Sequence, residues 1–253
     1  MIALHPSSSD EQLDPLTAVA AEERPPPPDR PWVMTNMIAS ADGATAVDGL
    51  SGDLGGPADF AVFSALRARA DAILVGASTV REEQYRPPST DDERRLSLRR
   101  QRHQEPRPLI VVVTGRLDLD PGLPLFADDT YRPLILTGEA APAEARERLS
   151  AVADVVTVGD QWADLGTGLA ELHRRGHRVV LAEGGPSLNG QLIADDLIDE
   201  WNLSVSPLLA AGSSARPAHG PLPVGPPREM SLARVWLADE LLFCRWVRRR
   251  RPA

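Results

Sequence analysis

The segment LIVVVTG, residues 109–115, is apolar at consecutive positions, so it cannot be a strand with one face in water. Such a strand needs cover on both faces, and helices are the usual cover. The rest of the chain supplies them. WVMTNMIA, AILVG, PLILTG, DVVTVG and RVVLAEGG read as further strands, and DEWNLSVSPLLA as another. Between them PADFAVFSALRARA, ASTVREEQY, APAEARERLSA, WADLGTGLAELHRRG and PSLNGQLIADDL read as helices. In the first of these Phe60, Phe63, Leu66 and Ala70 recur at helical spacing. The end differs: SLARVWLADELLFCRWVRR reads as two strands around the tight turn ADE. The alternation predicts an α/β fold with a mixed, mostly parallel sheet flanked by helices and a C-terminal antiparallel hairpin. Ligands of such sheets bind at the carboxyl ends of the strands.

Residues 1–30 read as a Pro-rich extension, because ERPPPPDRP cannot enter a sheet interior. LTAVAAEE before it reads as a surface helical turn, and residues 31–250 as a single domain. The polar stretch from Arg86 to Pro108 can be helical only in its middle, since proline breaks both ends. AAGSSARPAHGPLPVGPP reads as a Gly- and Pro-rich loop.

Composition removes several functions. The formal net charge of −9 has the wrong sign for a nucleic-acid binder. No apolar run approaches the length of a membrane span, and the N-terminus lacks the pattern of a secretory signal. The single cysteine, Cys244, excludes an internal disulfide and reads as a buried strand residue, so the expected location is the cytoplasm. No metal site is expected: His173 and His177 lie near a helix C-terminus, where the dipole favours them without a metal. The closing RRRR reads as a solvated tail.

Three strand ends carry chemistry. In VVLAEGGPSLNG the strand runs into Glu183, turns at Gly184 and Gly185, and starts a helix at Pro186 with Ser187 behind it. Free amides at a helix start attract phosphate. A plain turn with a solvated glutamate explains the same residues about as well. ILVGASTVREE repeats the logic with Gly76, Ser78 and Thr79, although helix capping alone accounts for Thr79. In NMIASADG a strand ends in Ser40, Asp42 and Gly43, and Asp42 as a turn former needs no function. Together the three would converge on one edge of the sheet. Neither glycine stretch is a G-x-G-x-x-G fingerprint.

At ASADG, LRARADAILVGASTVREE and LAEGGPSLNGQLIADDLIDEWNLSVSPLLAAG the chain resembles the riboflavin-pathway pyrimidine reductases, in their stand-alone form, over about Pro31 to Arg248. The resemblance implies a dihydrofolate reductase-like fold, a homodimer, and NADPH as hydride donor to a phosphoribosylamino-pyrimidine. It implies that Gly76, Thr79 and Glu83 sit against the cofactor, that Gly184, Gly185, Pro186, Ser187 and Leu188 hold its pyrophosphate, and that Thr114 touches its adenosine half. Asn36, Ser40, Asp42 and Ser51 would face the substrate, with Glu183 near the carbon that accepts hydride. Asp42 and Glu183 are the expected catalytic acids. The chain departs from bifunctional relatives at Asn36, where they have lysine, at Leu54-Gly55-Gly56, where they have Trp-Ile-Thr, and at Glu83, where they have aspartate. No deaminase segment accompanies it, so deamination is expected of another protein. A reductase of dihydrofolate or a pterin, or a non-catalytic nucleotide-binding protein, would use the same edge.

Overall fold

The computed structural model of the protein describes residues 1–5, 12–47, 49–220 and 226–249. Ten strands form one sheet. In chain order they are β1 (Ile2–His5), β2 (Trp32–Ser40), β3 (Ala72–Gly76), β4 (Leu109–Val113), β5 (Leu134–Thr137), β6 (Asp154–Thr157), β7 (Val179–Ala182), β8 (Glu200–Ser206), β9 (Met230–Ala238) and β10 (Leu241–Arg248). The spatial order is β1-β9-β10-β8-β2-β7-β3-β4-β5-β6. From β8 to β6 every pairing is parallel, while β10, β9 and β1 add antiparallel strands at one side. Seven helices flank the sheet: α1 (Pro15–Ala21), α2 (Pro57–Arg69), α3 (Ala77–Glu82), α4 (Glu93–Gln101), α5 (Ala143–Ser150), α6 (Leu165–Arg174) and α7 (Pro186–Ala194).

The unalternated strands are covered twice, as their composition requires. On β4, Val111 packs with Leu165, Leu169 and Leu172 of α6 and with Leu188 and Leu192 of α7. Ile110 and Val112 face the other way, toward Val80 of α3 and Leu149 of α5. A third cluster joins Met34 and Leu181 to Val62 and Leu66 of α2, Val19 of α1, and Trp236 and Phe243 of the hairpin.

Three sequence expectations change. The N-terminal stretch is not peripheral in its packing: β1 pairs with β9, Val19 is buried, and Arg24 is buried against Glu200 at 2.8 and 2.9 Å. Proline keeps residues 24–31 out of the ladder, but Arg24 and Arg30 still reach Glu200 and Asp199 at the start of β8. The last parallel strand stops at Ser206, leaving Leu208 and Leu209 exposed beyond it. Cys244 is half-buried, because it lies on the outer face of the hairpin. The end of the basic tail, residues 250–251, lies outside the described residues, whereas Arg248 is paired with Asp196. Among the described residues no helix is long and apolar enough to cross a membrane.

Candidate active site

β2, β3 and β7 are neighbours, with Thr35 and Leu74 both level with Ala182, so the turns after β3 and β7 meet at one rim, beside which β2 runs on to Ser40. The Gly76 amide donates to the Gly184 carbonyl at 2.7 Å, locking two of the three strand ends together. Glycine is required there for two reasons. Gly184 has φ +81°, which side chains rarely adopt. A Cβ on Gly185 would stand 2.9 Å from Thr79 Oγ1.

Beside these turns lies a cleft of about 850 Å³. β2 contributes Asn36, Met37 and Ile38; α2 contributes Asp59, Phe60, Phe63 and Arg67; Ser51, Thr79, Glu83, Tyr85, Arg86, Glu183, Gly185 and Pro186 complete most of the wall. Glu183 is buried, and Arg67 grips both its oxygens, Nε to Oε1 at 2.7 Å and Nη2 to Oε2 at 2.7 Å. Tyr85 donates its hydroxyl to Oε2 as well. Burial alone would lower the Arg67 pKa, but the Glu183 charge outweighs it and the guanidinium holds its proton more firmly than usual. Burial and then the Glu183 charge push the Tyr85 phenol well above its ordinary range, so it stays a neutral donor. Arg67 also lies 4.2 Å over the Phe63 ring and 5.4 Å over that of Tyr85. The result is a fixed, oriented carboxylate in the wall of a cleft.

Of the residues expected from sequence, the cleft brings together Asn36, Ser51, Thr79, Glu83, Glu183, Gly185 and Pro186. Ser51 donates its amide and hydroxyl to Glu83 Oε1, at 3.2 and 2.8 Å. Gly76 and Gly184 support the rim from behind through their backbone. Others fall elsewhere. Asp42 and Ser40 do not line the cleft. Asp42 accepts from Ser40 Oγ and from the amides of Ala210 and Ala211, at 3.1 and 2.7 Å, and these bonds hold its pKa down at about 2. That corrects its reading as a proton donor: it ties the turn after β2 to the loop after β8. Thr114 accepts from the amides of Arg116 and Leu117, which makes it a turn residue. Leu188 is core, so nothing but its backbone can face a ligand. Ser187 is exposed at the start of α7, 3.4 Å from His219.

Sequence reasoning missed Asp59, Phe60, Arg67 and Tyr85. A signal existed for two of them. Phe60, Phe63 and Arg67 share one helical face, and a stripe that ends in arginine belongs to a cleft rather than to a core. Phe60 is 65% exposed, whereas Val62, Ala65 and Leu66 turn inward. Tyr85 meets Glu183 across 98 residues, and no local pattern marks that contact.

Fold and site together define an α/β protein with a polar ligand cleft at the carboxyl edge of a parallel sheet. The chain belongs to the RibD C-terminal domain family, whose description matches residues 31–239. It is 33% identical over 185 residues to a 2,5-diamino-6-ribosylamino-4(3H)-pyrimidinone 5′-phosphate reductase of Archaeoglobus fulgidus, spanning 72% of this chain and 83% of the relative. A protein of the same name from Methanothermobacter thermautotrophicus is 30% identical over 188 residues, 74% of this chain and 82% of its own. A crystal structure of a pyrimidine reductase-like protein from Corynebacterium diphtheriae shares the fold, with TM-score 0.82 and 23% identity over 94% of this chain and all of that one.

Proposed function

We propose that the protein is an NADPH-dependent reductase of riboflavin biosynthesis that passes a hydride to the ribosyl carbon of a (5-phosphoribosylamino)pyrimidine, such as 5-amino-6-(5-phosphoribosylamino)uracil. The observation that carries this reading is the cleft: a fixed carboxylate faces it beside a glycine-built rim, in a chain related to named reductases of a ribosylaminopyrimidine phosphate.

The rim fits a nicotinamide dinucleotide. A Cβ at Gly185 would fill the space beside Thr79. Behind it Asn189 is fully buried, and its Oδ1 has no hydrogen-bond partner among the described residues. The first turn of α7 leaves amides without partners inside the helix. Gly76, Thr79, Gly185 and this turn are the groups for the pyrophosphate. Beyond β4, Arg116 is exposed, and the ring of Trp162 lies so close to Gly115 that a Cβ there would stand 2.3 Å from it. A cation and an aromatic face suit a phosphorylated adenosine, which favours NADPH over NADH. When bound, NADPH supplies the hydride.

The chain's own residues then do the following. Phe60 and Phe63 offer an apolar wall for the pyrimidine. Arg86, exposed at the cleft and without an ion pair among the described residues, meets the sugar phosphate in place of the lysine that Asn36 replaces. Glu183 faces the positive charge that develops when the ribose opens, and Arg67 and Tyr85 keep it from turning away. The same reading places the enzyme in the cytoplasm as a homodimer. Its support is the outer face of the hairpin, where Leu242 pairs with Val205, Cys244 with Leu203 and Trp246 with Trp201 to form an apolar sheet face.

The test is a substrate panel with NADPH. Turnover of the phosphoribosylamino-pyrimidine, with dihydrofolate and pterins left unchanged, supports the reading. Turnover of a pterin or folate in its place would overturn it.

A further inference from the structure

Opening a ribosylamine ring needs an acid, and neither carboxylate that stands out in the sequence is available as one. Asp42 is bound to amides outside the cleft, and both oxygens of Glu183 are already taken by donors from Arg67 and Tyr85. The other carboxyl groups in the wall are Glu82 and Glu83, both exposed, and Asp59. We propose that Asp59 is the catalytic proton donor, giving its proton to the ribosyl ring oxygen as the C1′–O4′ bond breaks. The assignment rests on the function proposed above.

Asp59 is the third residue of α2 and is half-buried. An acid in a first helical turn is ordinarily there for the helix dipole alone. Here the cap is Gly56, which has no side chain to bond the helix start. Asp59 instead accepts a 2.6 Å hydrogen bond on Oδ1 from Ser204 Oγ, which is buried on β8. Oδ2 occupies the space beside Gly55, where a Cβ would come within 2.9 Å of it. Glycine at 55 therefore leaves that oxygen room. No ion pair is made to Asp59 among the described residues, unlike Glu183. Burial raises its pKa above the ordinary value, and the Ser204 hydrogen bond opposes the rise without cancelling it. The charged groups that share its cleft are Arg67 with Glu183, Glu82, Glu83 and Arg86.

The step balances as follows. The nitrogen lone pair forms the C1′=N bond, and the C1′–O4′ pair leaves with oxygen, which takes the Asp59 proton and becomes a hydroxyl. C1′ would accept the hydride that bound NADPH supplies, and the C=N pair returns to nitrogen. Asp59 regains a proton from water, so NADPH and a proton are consumed together.

Activity then resides in the protonated form and falls as pH rises through the Asp59 pKa. With NADPH and the phosphoribosylamino-pyrimidine, Asp59→Asn should lower kcat by about 100-fold. NADPH binding, read by fluorescence, should be unchanged, and Asp59→Glu should restore part of the rate. Ser204→Ala removes a donor that favours the anion, so the alkaline limb of the kcat profile should move to higher pH. Infrared difference spectra of the wild type against Asp59→Asn should contain a protonated carboxyl band that titrates with that limb. Wild-type kcat in Asp59→Asn, or an unmoved limb in Ser204→Ala, overturns the assignment alone. Loss of NADPH binding in Asp59→Asn would mark a misfolded variant, and the Ser204→Ala limb then decides. A wild-type protein that oxidises no NADPH with this pyrimidine overturns the proposed function, and the assignment with it.

Discussion

Glu183 shows how one residue's chemistry is set by partners far from it in the chain. Arg67 lies 116 positions away and Tyr85 98, yet together they fix both carboxylate oxygens. Replacing Glu183 by Gln should leave NADPH affinity nearly intact and lower kcat by about 100-fold, read in steady-state assays, because the neutral amide no longer faces the developing positive charge. Gly185→Ala should do the reverse. Its Cβ meets Thr79 Oγ1 at 2.9 Å, so the rim must shift. The Kd for NADPH should rise about tenfold, or ~1.4 kcal/mol, in a titration. Glu183 and Gly185 stand out in the sequence as a carboxylate and a glycine pair after an apolar strand, although a plain turn explains them about as well. Asp42 looks much the same locally and does different work, since its partners, the amides of residues 210 and 211, are set by the return of the chain after β8. Local pattern reports which residues end a strand, not what the rest of the chain brings to them.

The elements follow their sequence closely where periodicity is strong. β4 needed two covers and has them, and the closing hairpin turns where ADE predicts. Its turn residues Asp239 and Glu240 have φ of +50° and +62°, a geometry that two-residue hairpins share and that glycine adopts without penalty. Glu240→Gly should therefore stabilise the fold by ~0.5 kcal/mol, seen as a small rise in Tm. α2 was legible as a helix but not as a wall of the cleft. Its apolar spacing includes Phe60, which faces out, because a helix between core and ligand carries apolar residues on two faces. Apolar periodicity alone does not separate those faces, and the arginine that closes the Phe60–Phe63 stripe is the local sign that does.

At the scale of the molecule, the sheet order and the seating of the N-terminal stretch depend on long-range pairs that the sequence does not display. Arg24 and Arg245 surround the buried Glu200, which also accepts from Trp32 and Asn202. Burial pushes the Glu200 pKa up, but the two arginines more than cancel it and leave it at about 2. A carboxylate held below its ordinary range adds stability above that range and loses it as pH falls toward 2. Acid denaturation curves should thus shift when the pair is broken. Arg24→Ala should cost about 3 kcal/mol in denaturant unfolding at neutral pH, since it strands a buried charge. The outer hairpin face gives a separate test: Leu242→Asp should convert a dimer to a monomer in sedimentation without loss of fold. A wild-type protein that sediments as a monomer at micromolar concentration would remove the dimer.

The central claim is that this cleft delivers a hydride from NADPH to the ribosyl carbon of a phosphoribosylamino-pyrimidine. Its most direct test uses NADPH deuterated at the transferring carbon, with the product examined by mass spectrometry and NMR. The account predicts deuterium on the ribityl carbon bonded to nitrogen, in step with NADPH oxidised. Product without the label, or no oxidation of NADPH in the presence of that pyrimidine, would contradict it.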